Sequence, residues 1–162
     1  MKKNIKIYIL ISFFLCSGCA GRYLTPIDKC QPLSAYNTMV ITPFDGSSAH
    51  TEELKYVHLP GHIARGATAR LKDQLEFYYL FPKVIQSSEC AGQAVRIEGK
   101  IIRLDHYKRS FHVEVRGRIM DCQNNKPLYI FEFDEEDSES GKLPILIGDK
   151  LFDGIKERLT CQ

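Results

Sequence analysis

Two stretches in the middle of this chain alternate apolar and polar residues without a break. From Ala94 to Leu104, Val95, Ile97, Gly99 and Ile101 fall on one side and Arg96, Glu98 and Lys100 on the other. From Phe111 to Asp121, Phe111, Val113, Val115, Gly117 and Ile119 face one way and His112, Glu114, Arg116 and Arg118 the other. A period of two is that of a strand with one buried and one wet face. The short polar link from Asp105 to Arg109 joins the two strands as an antiparallel hairpin. A register in which paired residue numbers sum to 214 sets Glu98 against Arg116 and Lys100 against Glu114. Each such pair favours it by about a few tenths of a kcal/mol, against a mild penalty for Arg96 facing Arg118. Ile97 then meets Gly117 and Gly99 meets Val115, each glycine opposite a bulky partner.

One face of this hairpin has to be covered, and the flanking segments supply the cover. A first strand is expected at about Asn37 to Phe44, with Met39, Val40 and Ile41 buried, ended by Pro43 and the turn Asp45-Gly46-Ser47-Ser48. Ile63, Ala67, Leu71, Leu75 and Tyr78 make one helical stripe between about His62 and Tyr79. Pro82 stops that helix, and Lys83-Val84-Ile85 reads as a short strand. After the hairpin, Leu128 to Phe133 gives a third meander strand, and the acidic run Asp134 to Glu139 reads as a solvated loop beside it. Pro144 opens a last helix in which Ile147, Leu151, Phe152, Ile155 and Leu159 are buried, with Lys156 and Arg158 suited to its C-terminal dipole. The expectation is a single α+β domain: a mostly antiparallel sheet of about five strands, two helices on one face, in the order strand-helix-strand-strand-strand-strand-helix.

The chain's start has a different character. Lys2, Lys3 and Lys6 precede an apolar run from Ile7 to Leu15 and then small residues, the order of a secretory signal. That run is short for a permanent span of about 20 apolar residues. Leu15-Cys16-Ser17-Gly18-Cys19 resembles the lipobox of bacterial lipoproteins, although Cys16 stands where an aliphatic residue is usual. The resemblance implies cleavage after residue 18 and acylation of Cys19, with Ala20 matching outer-membrane sorting. Residues 19 to 35, with two prolines and no clear period, read as a lipidated tether, and residues 36 to 162 as the periplasmic domain.

Removing 18 of the 162 residues leaves 144, enough for one domain with a substantial core. Three lysines and no acid leave with the leader, so 19 basic residues remain against 20 acidic ones. That balance does not favour nucleic acid, which calls for a basic domain. Cys30, Cys90, Cys122 and Cys161 remain once Cys16 and Cys19 are accounted for, an even number in an exported domain. The hairpin brings Cys122 within reach of Cys90, which predicts Cys90–Cys122 and leaves Cys30–Cys161. With Cys30 pinned, the free tether would be about residues 20 to 29, at most roughly 35 Å long.

Met39-Val40-Ile41-Thr42-Pro43-Phe44, Leu80-Phe81-Pro82-Lys83-Val84, Val95 to Ile101 and Arg118-Ile119-Met120-Asp121 also carry a looser likeness. The pattern resembles the periplasmic α/β domain of several envelope lipoproteins: the curli-secretion channel lipoprotein, the activators of peptidoglycan synthases, and a related family of unknown function. It implies a fold and transfers no catalytic residue.

Candidate chemistry is sparse. His58 and His62 have a helical metal-ligand step, but Pro60 and Gly61 lie between them and read as helix breakers. His50, His106 and His112 are further candidates for a composite site, which would make a metal-dependent envelope enzyme the alternative reading. The acidic run lacks the pattern of a calcium loop, and no two of the four cysteines have zinc spacing. Gly61 to Gly66 lacks the lysine and hydroxyl of a phosphate loop, and no nucleophile motif appears. The best remaining surface is the outer hairpin face, Arg96, Lys100, Arg116 and Arg118, suited to an acidic partner or lipid head groups. The sequence thus predicts a non-catalytic accessory module of an envelope assembly, without cofactor, anchored to the outer membrane and facing the periplasm.

Overall fold

A computed structural model of the chain describes residues 23–161. The signal and lipobox readings, Cys19 included, lie outside the described residues. Six strands form one sheet: β1 (Thr25–Pro26), β2 (Thr38–Ile41), β3 (Lys83–Gln86), β4 (Ala94–Tyr107), β5 (Ser110–Asp121) and β6 (Pro127–Asp137), in the order β1-β6-β5-β4-β2-β3. Helices α1 (Leu59–Phe77) and α2 (Leu143–Glu157) cover one face. The fold is α+β, as the patterning implies. The sheet is mixed, because β2 pairs in parallel with both β3 and β4.

The helices run side by side in the same direction. Gly148 permits their contact: a Cβ there would lie 2.8 Å from Cβ of Arg70 and 3.2 Å from the Leu71 nitrogen. Arg70 Nε donates to Asp149 at 2.7 Å across the same seam. Beneath them lie Met39, Ile41, Ile97, Ile101, Val113, Val115, Ile119, Phe131 and Phe133, the inward set of the alternating strands. Thr68 is buried with both needs met, accepting from the Phe44 N–H and donating to the Ala64 carbonyl at 2.9 Å each.

Four sequence expectations are corrected. First, the hairpin register sums to 216, not 214: Glu98 faces Arg118, Lys100 faces Arg116, Ile97 faces Ile119, and Gly99 faces Gly117. The bulky partner of the glycines comes from the third strand, since Phe131 stands opposite Gly117. Second, the hairpin link is only two residues, Lys108 and Arg109, both at positive φ (48° and 75°). Third, Asp134 to Asp137 belong to β6 rather than to a loop, pairing with Glu114 through Phe111. Among the described residues only the two of β1 pair with the far side of β6, and no described strand pairs with these acids there, where charge discourages edge-to-edge association.

The fourth correction concerns residues 23–35, read above as part of a tether. Leu24 and Leu33 are buried in the core, and β1 pairs antiparallel with β6. The latch for this segment comes from the far end of the chain. Buried Arg158, read above as a dipole cation, donates from Nε and Nη2 to the Leu24 carbonyl at 3.0 and 2.7 Å. Tyr129 OH donates to the Gln31 carbonyl and accepts from the Gln31 N–H at 3.0 Å. The Cys30–Cys161 disulfide lies beside it, Cα atoms 5.7 Å apart. The reach of any tether is therefore counted from Tyr23, not from Cys30.

A second crosslink between chain segments, Cys90–Cys122 with Cα atoms 5.3 Å apart, ties the loop before β4 to the end of β5. Next to it Tyr36 OH donates to Asp121 Oδ2 at 3.0 Å. Burial first, then the Asp121 carboxylate, pushes the Tyr36 phenol up to about 12 from 10.0. A phenol whose folded pKa is raised binds its proton more tightly when folded. Its contribution is intact below pH 10 and is lost as pH rises toward 12. Tyr36→Phe is expected to flatten that alkaline decline, as followed by circular dichroism; an unchanged slope would reject Tyr36 as its source.

Candidate functional site

The helices leave the other face of the sheet open. Across β4, β5 and β6 it forms a shallow depression of about 520 Å³, lined by Pro43, Asp45, Glu98, Lys100, Arg116, Arg118 and Ile130 among others. Its floor is backbone at the Gly99–Gly117 pair, whose absent side chains belong to the core face, where the Phe131 ring lies against both glycines.

Alternation places Lys100, Arg116 and Arg118 on this face, but each stands beside an acid. Arg118 Nε donates to Glu98 Oε1. Arg116 Nη2 reaches Glu114 at 2.7 Å within its strand and Glu132 at 3.0 Å across to β6. These are exposed pairs, worth about 0–1 kcal/mol each, so they can exchange partners readily. Lys100 faces Arg116, and Asp45, whose backbone pairs with that of Lys100, sets a carboxylate near the Lys100 charge. The Ser47 N–H bonds Asp45 at 2.8 Å and, with the nearby Lys100 charge, holds its carboxyl below the usual range.

Arg96 behaves differently from the other three cations. Its side chain lies flat across the sheet, with Nη2 3.7 Å from the Met120 sulfur. Nε sits 3.4 Å from Glu98 Oε2 without hydrogen-bond geometry. Its stem lies along the row shared by Val40 and Met120, which are buried although they face outward. Arg96 is thus part of the sheet's cover more than of its binding surface. Four cations meet four carboxylates, Asp45, Glu98, Glu114 and Glu132, so the face is zwitterionic rather than positive. Glu132, Asp45 and the exposed Ile130 were not marked by the sequence, because they come from segments that only the sheet order brings alongside the hairpin.

The histidines are distributed more widely. Pro60 and Gly61 do not break α1; proline occupies its first turn, where its missing N–H costs nothing. His58 and His62 do stand one turn apart, ring centroids 5.9 Å from each other. His106 packs against Tyr56 and Phe111, and His112 lies 3.4 Å from Glu136. Among the described residues no three metal-ligating side chains come together. No helix there is long and apolar enough to cross a membrane.

No protein-family model matches the chain, nor does any curated protein sequence. Solved structures do match. The PelC dodecamer from Paraburkholderia phytofirmans superposes with a TM-score of 0.54 at 12% identity, over 83% of this chain and 94% of that one. A point variant of PelC gives 0.51 at 14% identity, over 78% and 92%. Lipoprotein GNA1162 from Neisseria meningitidis gives 0.42 at 10% identity, over 72% and 95%. At these identities the likeness is one of fold.

Proposed function

We propose that this chain is a non-catalytic accessory module of a cell-envelope assembly, held by acyl groups on Cys19 at the periplasmic face of the outer membrane. The observation that carries the reading is the face of β4–β6 that no described residue covers, a shallow floor of strand backbone ringed by exposed ion pairs. Such a face is suited to a polar partner that re-pairs Arg116, Arg118 and Lys100 as it docks. The lipobox order Leu15 to Cys19 supports the anchor, and the fold shared with PelC, a dodecamer, supports a place in an assembly.

Two experiments test it. Cys19→Ala is expected to abolish acyl labelling and release the protein from the outer-membrane fraction; retention there would refute the anchor. Charge reversal by Arg116→Glu with Arg118→Glu should change stability by only about 1–2 kcal/mol, the scale of exposed pairs. It should nonetheless abolish the partners captured by a photo-crosslinker placed at Lys100. Capture undiminished by the double reversal would remove this face from the proposal.

A further inference from the structure

Far from the open face, the end of the sheet at the β4–β5 turn exposes apolar side chains that the fold does not use. Leu54 is 90% exposed, Val57 59% and Tyr107 61%. They belong to two loops held together: Tyr56 packs on Phe111 and His106 with ring centroids 5.2 and 5.3 Å apart, and Glu53 lies 3.5 Å from His106. Lys55, Lys108 and Arg109 stand among them, with Glu53 engaged by Lys55 at 2.8 Å. Charge nearly balances at this tip once Glu52 and Asp137 are counted, so its apolar side chains set its preference. Tyrosine and aliphatic groups between lysines and arginine suit the boundary between head groups and acyl chains.

The chain's own path says which surface meets the tip. Because Thr25 pairs with Ile130 in antiparallel sense, the chain upstream of β1 heads along β6 toward the tip, and Tyr23 packs on Phe133. The turn Lys108–Arg109 lies about six residues beyond Phe133, since Asp137 is abreast of Phe111. At about 3.3 Å per residue that is roughly 20 Å. Three residues lie between Cys19 and Tyr23, and the four Cα steps span at most about 14 Å. With that link fully extended toward the tip, the tip overshoots a bilayer holding Cys19 by about 6 Å, within the roughly 5–10 Å depth of interfacial burial.

We propose that Leu54, Val57 and Tyr107 sit in the head-group layer of the membrane that carries Cys19. This rests on the anchor proposed above and goes beyond it, making the tip a second membrane contact that fixes the domain's orientation. The open face of β4–β6 then stands roughly perpendicular to the bilayer, presented sideways to neighbours.

The chain has no tryptophan, so one introduced residue reports without background. Full-length protein carrying Leu54→Trp is purified in its acylated form and placed in vesicles of phosphatidylethanolamine and phosphatidylglycerol; Phe77→Trp, exposed at the opposite end of α1, is the control. The expected result is blue-shifted Leu54→Trp emission quenched by lipids brominated on their acyl chains, with Phe77→Trp unshifted and unquenched. Leu54→Trp as red and unquenched as the control, in protein that floats with the vesicles, overturns the inference. So does a shift that needs another envelope protein and is insensitive to brominated lipid, which makes the tip a protein contact. Acyl labelling of Cys19 in the same samples reports on the anchor separately: without it both readings fall, and with it only the tip is in question.

Discussion

Gly117→Ala is expected to be among the most damaging single-atom-scale changes in this protein. A Cβ at that position would run into the Phe131 ring tip and the Glu98 carbonyl, and lie 2.8 Å from Cα of Gly99. Two of those three obstacles are backbone, which cannot rotate away. Overpacking of a close-packed site costs about 1–3 kcal/mol, and this one belongs at the upper end. For a domain of this size that corresponds to a melting temperature about 10 °C lower. The neighbouring glycine supplies the contrast. A Cβ at Gly99 would meet Phe131 at 3.3 Å and Phe44 at 3.4 Å, both at side-chain atoms that can yield. Gly99→Ala is expected to cost less than about 1 kcal/mol. Phe131→Leu should recover part of the Gly117→Ala loss, as a double-mutant cycle would show. Equal effects of the two alanine substitutions, in calorimetry or denaturant unfolding, would contradict the packing described.

The second large effect is expected from Cys30→Ser with Cys161→Ser. The crosslink spans 131 residues, and a loop of that length corresponds to about 5 kcal/mol of unfolded-state entropy. The 32-residue separation of Cys90 and Cys122 gives roughly 3–4 kcal/mol by the same relation. The outer pair should therefore matter more, lowering the melting temperature by on the order of 10–15 °C. Leu24, Leu33 and the Arg158 bonds still hold the N-terminal segment when the crosslink is absent, so the double variant is expected to fold. Its signature is faster tryptic cleavage at the exposed Lys29 under native conditions. If cleavage at Lys29 were unchanged while stability fell, the disulfide would act on the whole chain and not on this segment.

The strongest periodicities were legible in the sequence: the α1 and α2 stripes and the β4 and β5 alternation appear with buried faces as read, except that Tyr78 lies just past α1 and is 56% exposed. The register failed for a local reason. Lys108 and Arg109 adopt positive φ without the glycine or asparagine that advertises such a turn. That turn sets a sum of 217, and an extra residue between Ile101 and Arg103 brings it to 216 further down. Charge matching could not correct the error, because Glu98 finds an arginine in either register. β1 was invisible because two residues carry no period, and its neighbour Leu24 is buried by contacts from Arg158 and α2, 130 residues away. The acids of β6 were misread because composition outweighs pairing only where a strand is isolated, and β5 supplies the pairing here. The open face was half legible, since alternation marks the hairpin's outer residues but says nothing of what β2 and β6 set beside them.

The two crosslinks are nested: Cys30–Cys161 encloses Cys90–Cys122. If the chain is exported as proposed above, this order has a consequence during synthesis. Cysteines leave the translocon one at a time, in the order 30, 90, 122, 161. Oxidation in order of emergence would join Cys30 to Cys90 and strand Cys122 with Cys161, neither of them a native pair. Cys30 has to remain reduced, or be repeatedly released by thiolate exchange, until the chain's last turn has crossed. Maturation is then governed by the arrival of its final residues, and a chain arrested short of Cys161 holds a free thiol at Cys30, open to attack and to mispairing.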